Sequence, residues 1–191
     1  MSYRNPPKKP KGYPVKARSR EEIEEVAFSL RAQMGFSRIL YFPIVEYLEF
    51  VLPELHLAQR SRFSLEVYGA DDEDAKHPGI TNVKANTIRL RQDVYDLARR
   101  GTGWARGIAA HELGHLLLEH EVLFAKLSGE PTHSFEEDSE WQANVFYGGL
   151  LASPRLVKKL NACEIEKACG ISRKAAQYNV RARLEDKKLH R

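Results

Sequence analysis

Ile108-Ala109-Ala110-His111-Glu112-Leu113-Gly114-His115-Leu116-Leu117-Leu118 carries apolar residues at Ile108, Ala109, Leu113, Leu116 and Leu117, which is helical spacing. Thr102 or Gly103 stands ahead of it as a plausible N-cap. His111 and His115 then lie one turn apart on one face. Two imidazoles so placed can share one Zn²⁺ at about 2.0–2.1 Å each. Glu112 points off to the side, towards a water on the same metal. This is the H-E-x-x-H arrangement, in which the histidines bind zinc and the glutamate is the general base. A surface helix with two satisfied histidines has the same letters, so the decision rests on a third ligand.

A catalytic zinc takes three protein ligands plus water. Downstream candidates are His120, His133, Glu136, Glu137, Asp138 and Glu140. The spacing H-E-x-x-H-x-x-G-x-x-H fails, because Leu118 and Glu121 stand where Gly and His are required. On a continued helix His120 is turned roughly 180° from the metal-facing edge, so it reads as a C-terminal residue satisfying carbonyls. Spacing leaves the acidic cluster open. Glu140 makes the most chemical sense, because Asn144 follows one turn later and can accept the ring N–H of a zinc-bound histidine.

The net charge of +4 over 191 residues is segregated. Residues 1–20 carry seven Lys/Arg and no acid, residues 155–191 carry eleven Lys/Arg against four acids, and residues 21–154 carry a net of −10. The N-terminal segment, with Pro6, Pro7, Pro10 and Pro14 among lysines, reads as a solvated, disordered or extended tail. There is no apolar run long enough to span a membrane and no signal core, and Cys163 and Cys169 read as free thiols, which together imply a cytoplasmic protein.

The pattern predicts a helix from Ser19 to Gly35, a second opened by Pro43 and stopped by Pro53, and a strand over Phe63–Tyr68. Asp71–Asp74 reads as a solvated acidic loop and His77-Pro78-Gly79 as a turn. Asn86–Leu90 is a second strand at a sheet edge, able to take a substrate backbone by β-addition, and Val94–Arg100 a short helix before Gly101. After a polar stretch with Ser128, Gly129, Pro131 and Thr132, a helix from Phe135 or Glu136 runs to about Ala152, its Gly148 and Gly149 allowing close packing on the histidine helix. The organisation is a 1–20 tail, a 21–155 domain and a 156–191 basic helical appendage.

His111-Glu112-Leu113-Gly114-His115-Leu116-Leu117, with Glu140-Trp141-Gln142-Ala143-Asn144-Val145-Phe146 and Leu150-Leu151 before Pro154, resembles the ImmA/IrrE metallopeptidase family. The resemblance implies an α+β, mainly helical zincin-like domain with a small antiparallel or mixed sheet. It implies one Zn²⁺ held by His111, His115 and Glu140, with Glu112 as base. It implies as substrate a helix-turn-helix transcriptional repressor, cleaved to release mobile-element or stress genes. The chain departs from the pattern at Gly148-Gly149, at Ala152-Ser153-Pro154 and in the position of His120.

No oxyanion donor follows from spacing; His133 and Tyr147 are the candidates. Residues 165–184 read as a helical hairpin of helix-turn-helix type around Gly170-Ile171-Ser172, where Arg173, Lys174, Gln177, Arg181 and Arg183 can meet phosphates. Packing on the catalytic domain or gripping a substrate protein is the competing role for this hairpin. The sequence therefore supports two alternative functions: a zinc endopeptidase, or a DNA- or repressor-binding regulator on a non-hydrolytic zinc fold.

Overall fold

The computed structural model describes residues 10–55, 62–121 and 133–189. Residues 1–9 of the basic tail and the stretch with Ser128, Gly129, Pro131 and Thr132 lie outside them. The fold is α+β, mainly helical, with one small mixed sheet. No helix among the described residues is long and apolar enough to cross a membrane.

Helix α1 (Arg20–Gln33) starts at a capping box, in which Ser19 accepts from Glu22 N–H and the Glu22 carboxylate accepts from Ser19 N–H. Helix α2 (Ile44–Glu46) follows Pro43 and widens into a π-helical turn over Tyr47–Val51, then a 3₁₀ turn over Leu52–Glu54. The path ends just past Pro53, with Leu55 already extended, because proline has no N–H to give back to the preceding turn. Before it, the Leu52 N–H reaches the Tyr47 carbonyl in the wider π-helical pattern.

Strands β1 (Ser64–Tyr68), β2 (Gly79–Asn82) and β3 (Thr87–Arg91) form the sheet in the order β1-β3-β2. β1 runs parallel to β3 with Leu65 opposite Ile88, and β2 runs antiparallel with Thr81 opposite Ile88. Two expectations are corrected. The strand at Thr87–Arg91 is central, not an edge, and the turn at Gly79 is the start of β2, which is the edge. A four-residue strand with one strongly apolar residue gives too little alternation to be read. The acidic loop is not simply solvated: Asp72 and Asp74 pair with Arg89 at 2.7 and 2.6 Å, which lets an arginine occupy a central strand.

Helix α3 (Gln92–Arg99) ends at Gly101, whose φ of 83° is left-handed. Helix α4 (Gly103–Leu117) is the histidine helix and α5 (Ser139–Leu151) the helix of Glu140, with a 3₁₀ turn over Phe135–Glu137 before it. Helix α4 lies between the sheet and α5, and α1 packs on the far side of α5. Ala109, Ala110, Leu113, Leu116, Phe146 and Leu150 are fully buried there. Each large apolar side chain so buried stabilises the fold by about 1.5–3 kcal/mol. The close approach of α4 and α5 comes from Gly114, where a Cβ would lie 3.1 Å from the Phe146 ring and 3.2 Å from Ala143 Cα. Gly149 instead serves α1, facing Ala27, and nothing approaches Gly148, which corrects the expected role of that pair.

Short helix α6 (Pro154–Val157) leads to α7 (Ala162–Cys169), capped by Asn161, and α8 (Arg173–Leu189), with Gly170 in the left-handed region between them. Ser172 accepts from Ala175 N–H as the cap of α8. The hairpin joins the main core through Ile165, Cys169, Ile171 and Ala176. The buried Arg106 of α4 donates to the carbonyls of Gly170 and Phe42 at 3.1 and 2.6 Å.

From residue 10 onward the basic tail is extended, as one of its readings had it, but it is attached to the domain and not free in solvent. Residues 11–18 form an extended strap across the start of α5. Val15 and Arg18 donate to the carbonyls of Glu137 and Glu136, and Ser139 donates to Tyr13. Asp138 accepts from the backbone of Lys11 and Gly12 while capping α5 through Trp141 N–H.

Candidate metal centre

The Nε2 atoms of His111 and His115 lie 3.0 Å apart. The Glu140 carboxylate meets both, with one oxygen 3.3 Å from His111 Nε2 and the other 3.3 Å from His115 Nε2. Four ligands around a zinc ion at 2.0–2.1 Å are separated by about 3.3–3.4 Å along each tetrahedral edge. The donor set, two imidazoles and a carboxylate, suits that ion, and the imidazole–carboxylate separations match this edge, with the two imidazole nitrogens somewhat closer. Among the described residues these three form a group able to hold a metal. Helical register on α4 and the Gly114 contact with α5 bring them together.

The charges respond to this crowding. Hydrogen bonds from His111 and His115 hold the Glu140 carboxyl well below the usual carboxylate range, against the opposing effect of burial. Burial pushes the His111 imidazole down, but its contacts with Glu140, Glu112 and the Asn144 side chain outweigh it and raise its pKa overall. Asn144 Nδ2 donates to the Glu140 carbonyl, which leaves its oxygen to accept from His111.

Glu112 is 8% exposed and lines the same cleft, where one of its oxygens accepts from the Thr81 hydroxyl at 2.7 Å. Gly79 of β2 makes room for it, because a Cβ there would lie 2.8 Å from Glu112 Cγ. The cleft has a volume of about 740 Å³ and runs between α4, α5 and the outer edge of β2.

Of the remaining candidates, Tyr147 lines the cleft and has its phenol pushed up to about 12 by burial. His133 does not line it; its Nε2 lies 3.1 Å from Asp138 Oδ2, at the cap of α5. Asp138 at that cap holds the imidazole there. His120 is also corrected. It does not satisfy helix carbonyls through its side chain but meets His115 edge-on, Nδ1 to Nδ1 at 3.0 Å, with its Nε2 at 3.0 Å from Gln142 Oε1. Burial pushes its pKa down to about 4.

The sequence reading missed Tyr13, Thr81 and Gln142. Tyr13 reaches the cleft from the strap and donates to the His120 carbonyl at 2.8 Å. Its phenol is raised to about 12 by burial and then by Glu140 and Glu112. Nothing in a Lys/Pro-rich segment marks one tyrosine, whereas a glutamine between core positions of α5 was a readable signal. On the hairpin, Lys174, Gln177 and Arg181 are exposed, while Arg173 is paired with Glu166 at 2.5 Å. Arg183 lies beyond the residues whose side chains are described.

No family model and no curated protein matches the chain. Among solved structures, a Mycobacterium tuberculosis transcriptional regulator has a similar fold, with a TM-score of 0.51 and 12% identity. The match covers 82% of this chain and 45% of that one, so this chain corresponds to less than half of that protein.

Proposed function

We propose that this protein is a zinc-dependent endopeptidase of the ImmA/IrrE type. The observation that carries the reading is the convergence of His111, His115 and Glu140, with separations of 3.0–3.3 Å, on the wall of an open cleft that Glu112 also lines. Zinc there would supply Lewis acidity, lowering the pKa of water towards about 7 and polarising a carbonyl. Glu112 takes a proton onto its carboxylate and returns it to the leaving amine. Thr81 orients that carboxylate through its hydroxyl.

The outer edge of β2, at Gly79–Asn82, offers backbone N–H and C=O groups to an extended peptide in place of the central β3. Beside the cleft, a more apolar pocket of about 490 Å³ shares Glu140, Asn144 and Tyr147 with it and suits an apolar substrate side chain. The substrate we propose is a helix-turn-helix repressor, on the resemblance carried by the two motifs.

Metal analysis and cleavage together test this. Wild-type protein holds one Zn²⁺ per chain, and Glu112→Gln keeps the metal while a repressor clipped in wild-type cells stays intact. Clipping that persists in the variant ends the reading. The exposed Lys174, Gln177 and Arg181 on α8 favour a second reading, a DNA-associated regulator. It requires a duplex-DNA affinity that falls steeply with salt and weakens in Lys174→Ala and Arg181→Ala.

A further inference from the structure

We infer that the C-terminal hairpin completes the substrate site: α8 faces α5 across an apolar pocket that takes one large uncharged side chain, aliphatic or aromatic, of the peptide lying over the metal centre. The inference rests on the peptidase reading above and assigns its side-chain preference to Gly148 and Tyr178. Trp141, Val145, Gly148 and Ala152 recur every three or four residues along α5. Ile171, Ala175, Tyr178 and Ala182 repeat that spacing on the hairpin. The two stripes are the facing walls of the pocket of about 490 Å³.

Small residues hold the walls apart. Among the described residues, a Cβ at Gly148 would meet no neighbouring heavy atom within 4 Å, whereas one at Gly114 would meet the Phe146 ring at 3.1 Å. The packing of α5 is closed on the α4 side and open on the hairpin side. Both walls are fixed in place. Asn179 Nδ2 donates to the Ala152 carbonyl at 3.0 Å, tying α8 to the end of α5. Gly103 of α4 lets Ile171 approach so closely that a Cβ there would lie 2.3 Å from its carbonyl carbon. A pocket carried on such elements selects by shape.

The pocket opens onto the metal centre, because Glu140, Asn144, Tyr147 and Ser172 line it and the cleft alike. At 1.5 Å per residue, Gly148 lies about 12 Å along α5 from Glu140. That is roughly three or four residues of extended peptide at about 3.3 Å each, so the side chain that enters belongs to a residue close to the scissile bond. The charged groups around the pocket do not call for an ionic partner. Glu140 faces the imidazoles, Asp138 caps α5, Arg20 pairs with Glu24 at 3.6 Å, and Lys11 and Lys174 are exposed. A charged side chain there loses hydration without gaining a buried counter-ion, whereas the Trp141 and Tyr178 rings give an apolar one edge and face contacts.

Peptide libraries incubated with zinc-loaded full-length protein and read by mass spectrometry should show leucine, methionine or an aromatic residue at one fixed position near the cut. Alanine at that position should lower kcat/KM about 10–100-fold. Gly148→Leu fills the space, and leucine is the better helix former, so circular dichroism and zinc affinity should match wild type. On the parent peptide this variant should fall to the alanine level, while on the alanine peptide it changes less than about twofold. Tyr178→Ala should lower kcat/KM in the same selective way. Equal loss on both peptides would make the effect structural and overturn the inference, as would an acidic residue at the selected position. If no peptide is cut, the peptidase reading falls and binding decides the pocket. N-acetylphenylalaninamide should saturably shift the Trp141 indole N–H in NMR spectra of wild type but not of Gly148→Leu. Trp104, which lines the cleft and not the pocket, should stay unmoved. No shift at Trp141, or a larger one with the corresponding aspartate amide, would overturn the inference.

Discussion

Gly12 donates its backbone N–H to Asp138 Oδ2 at 2.7 Å, so the residue that caps α5 also fastens the N-terminal strap. Asp138 is 2% exposed and accepts from Lys11, Gly12 and Trp141 as well as facing His133. Asp138→Ala leaves those donors without an acceptor. A loss of about 2–4 kcal/mol is expected in urea denaturation, with faster amide exchange at residues 11–18. An unchanged midpoint would refute the assignment.

Gly114 sets the distance between the two ligand-bearing helices. Gly114→Val places a branched side chain against Phe146 and Ala143, and overpacking of this kind costs about 1–3 kcal/mol. The helices part, and Glu140 moves away from the imidazoles. Zinc titration should show weaker binding along with the lower melting temperature; weakened folding with full zinc affinity would contradict this.

Removal of the third ligand separates metal binding from folding. Buried apolar side chains such as Leu113, Leu116, Phe146 and Leu150 pack both helices into the core, so chelator-treated protein should keep its far-ultraviolet circular dichroism. Zinc at a thousand times its dissociation constant should then stabilise wild-type protein by about 4 kcal/mol. Glu140→Gln should abolish most of that increment. An equal increment in the variant would place the metal elsewhere.

The buried His120 gives a pH dependence of definite sign in the metal-free protein. Its folded pKa, about 4, lies below the ordinary histidine value, so between pH 6.5 and 4 the unfolded chain binds a proton that the folded chain does not. Stability is therefore full above about pH 6.5 and declines as pH falls, with the loss complete near pH 4. The contribution is on the order of 3 kcal/mol, and His120→Gln should flatten this slope in denaturation curves taken across that range.

The helices and the shared face of His111 and His115 on α4 were legible in the sequence, because a 3.6-residue period and the spacing of the two histidines follow directly from helix geometry. His120 was misread because the angle was taken along a continuing helix. The helix stops at Leu117, and Glu119 adopts a φ of 59°, which folds the chain back and brings His120 beneath His115. β3 was misread as an edge because Thr87, Arg89 and Arg91 look like solvent-facing residues. Arg89 is instead held by Asp72 and Asp74, an arrangement that only the tertiary structure creates. The strap was misread because composition registers its charge, whereas its attachment is made by backbone groups that every sequence shares.

Arg106 has a consequence for anyone dividing this chain at residue 155. Its guanidinium is 1% exposed, and it donates to Gly170 on the hairpin and to Phe42 on the main domain. A truncated 21–155 fragment would keep a buried cation short of acceptors and bare the apolar seam that Ile165, Ile171 and Ala176 cover. Such a fragment should come out of the cell as inclusion bodies, while the intact polypeptide melts in a single cooperative step.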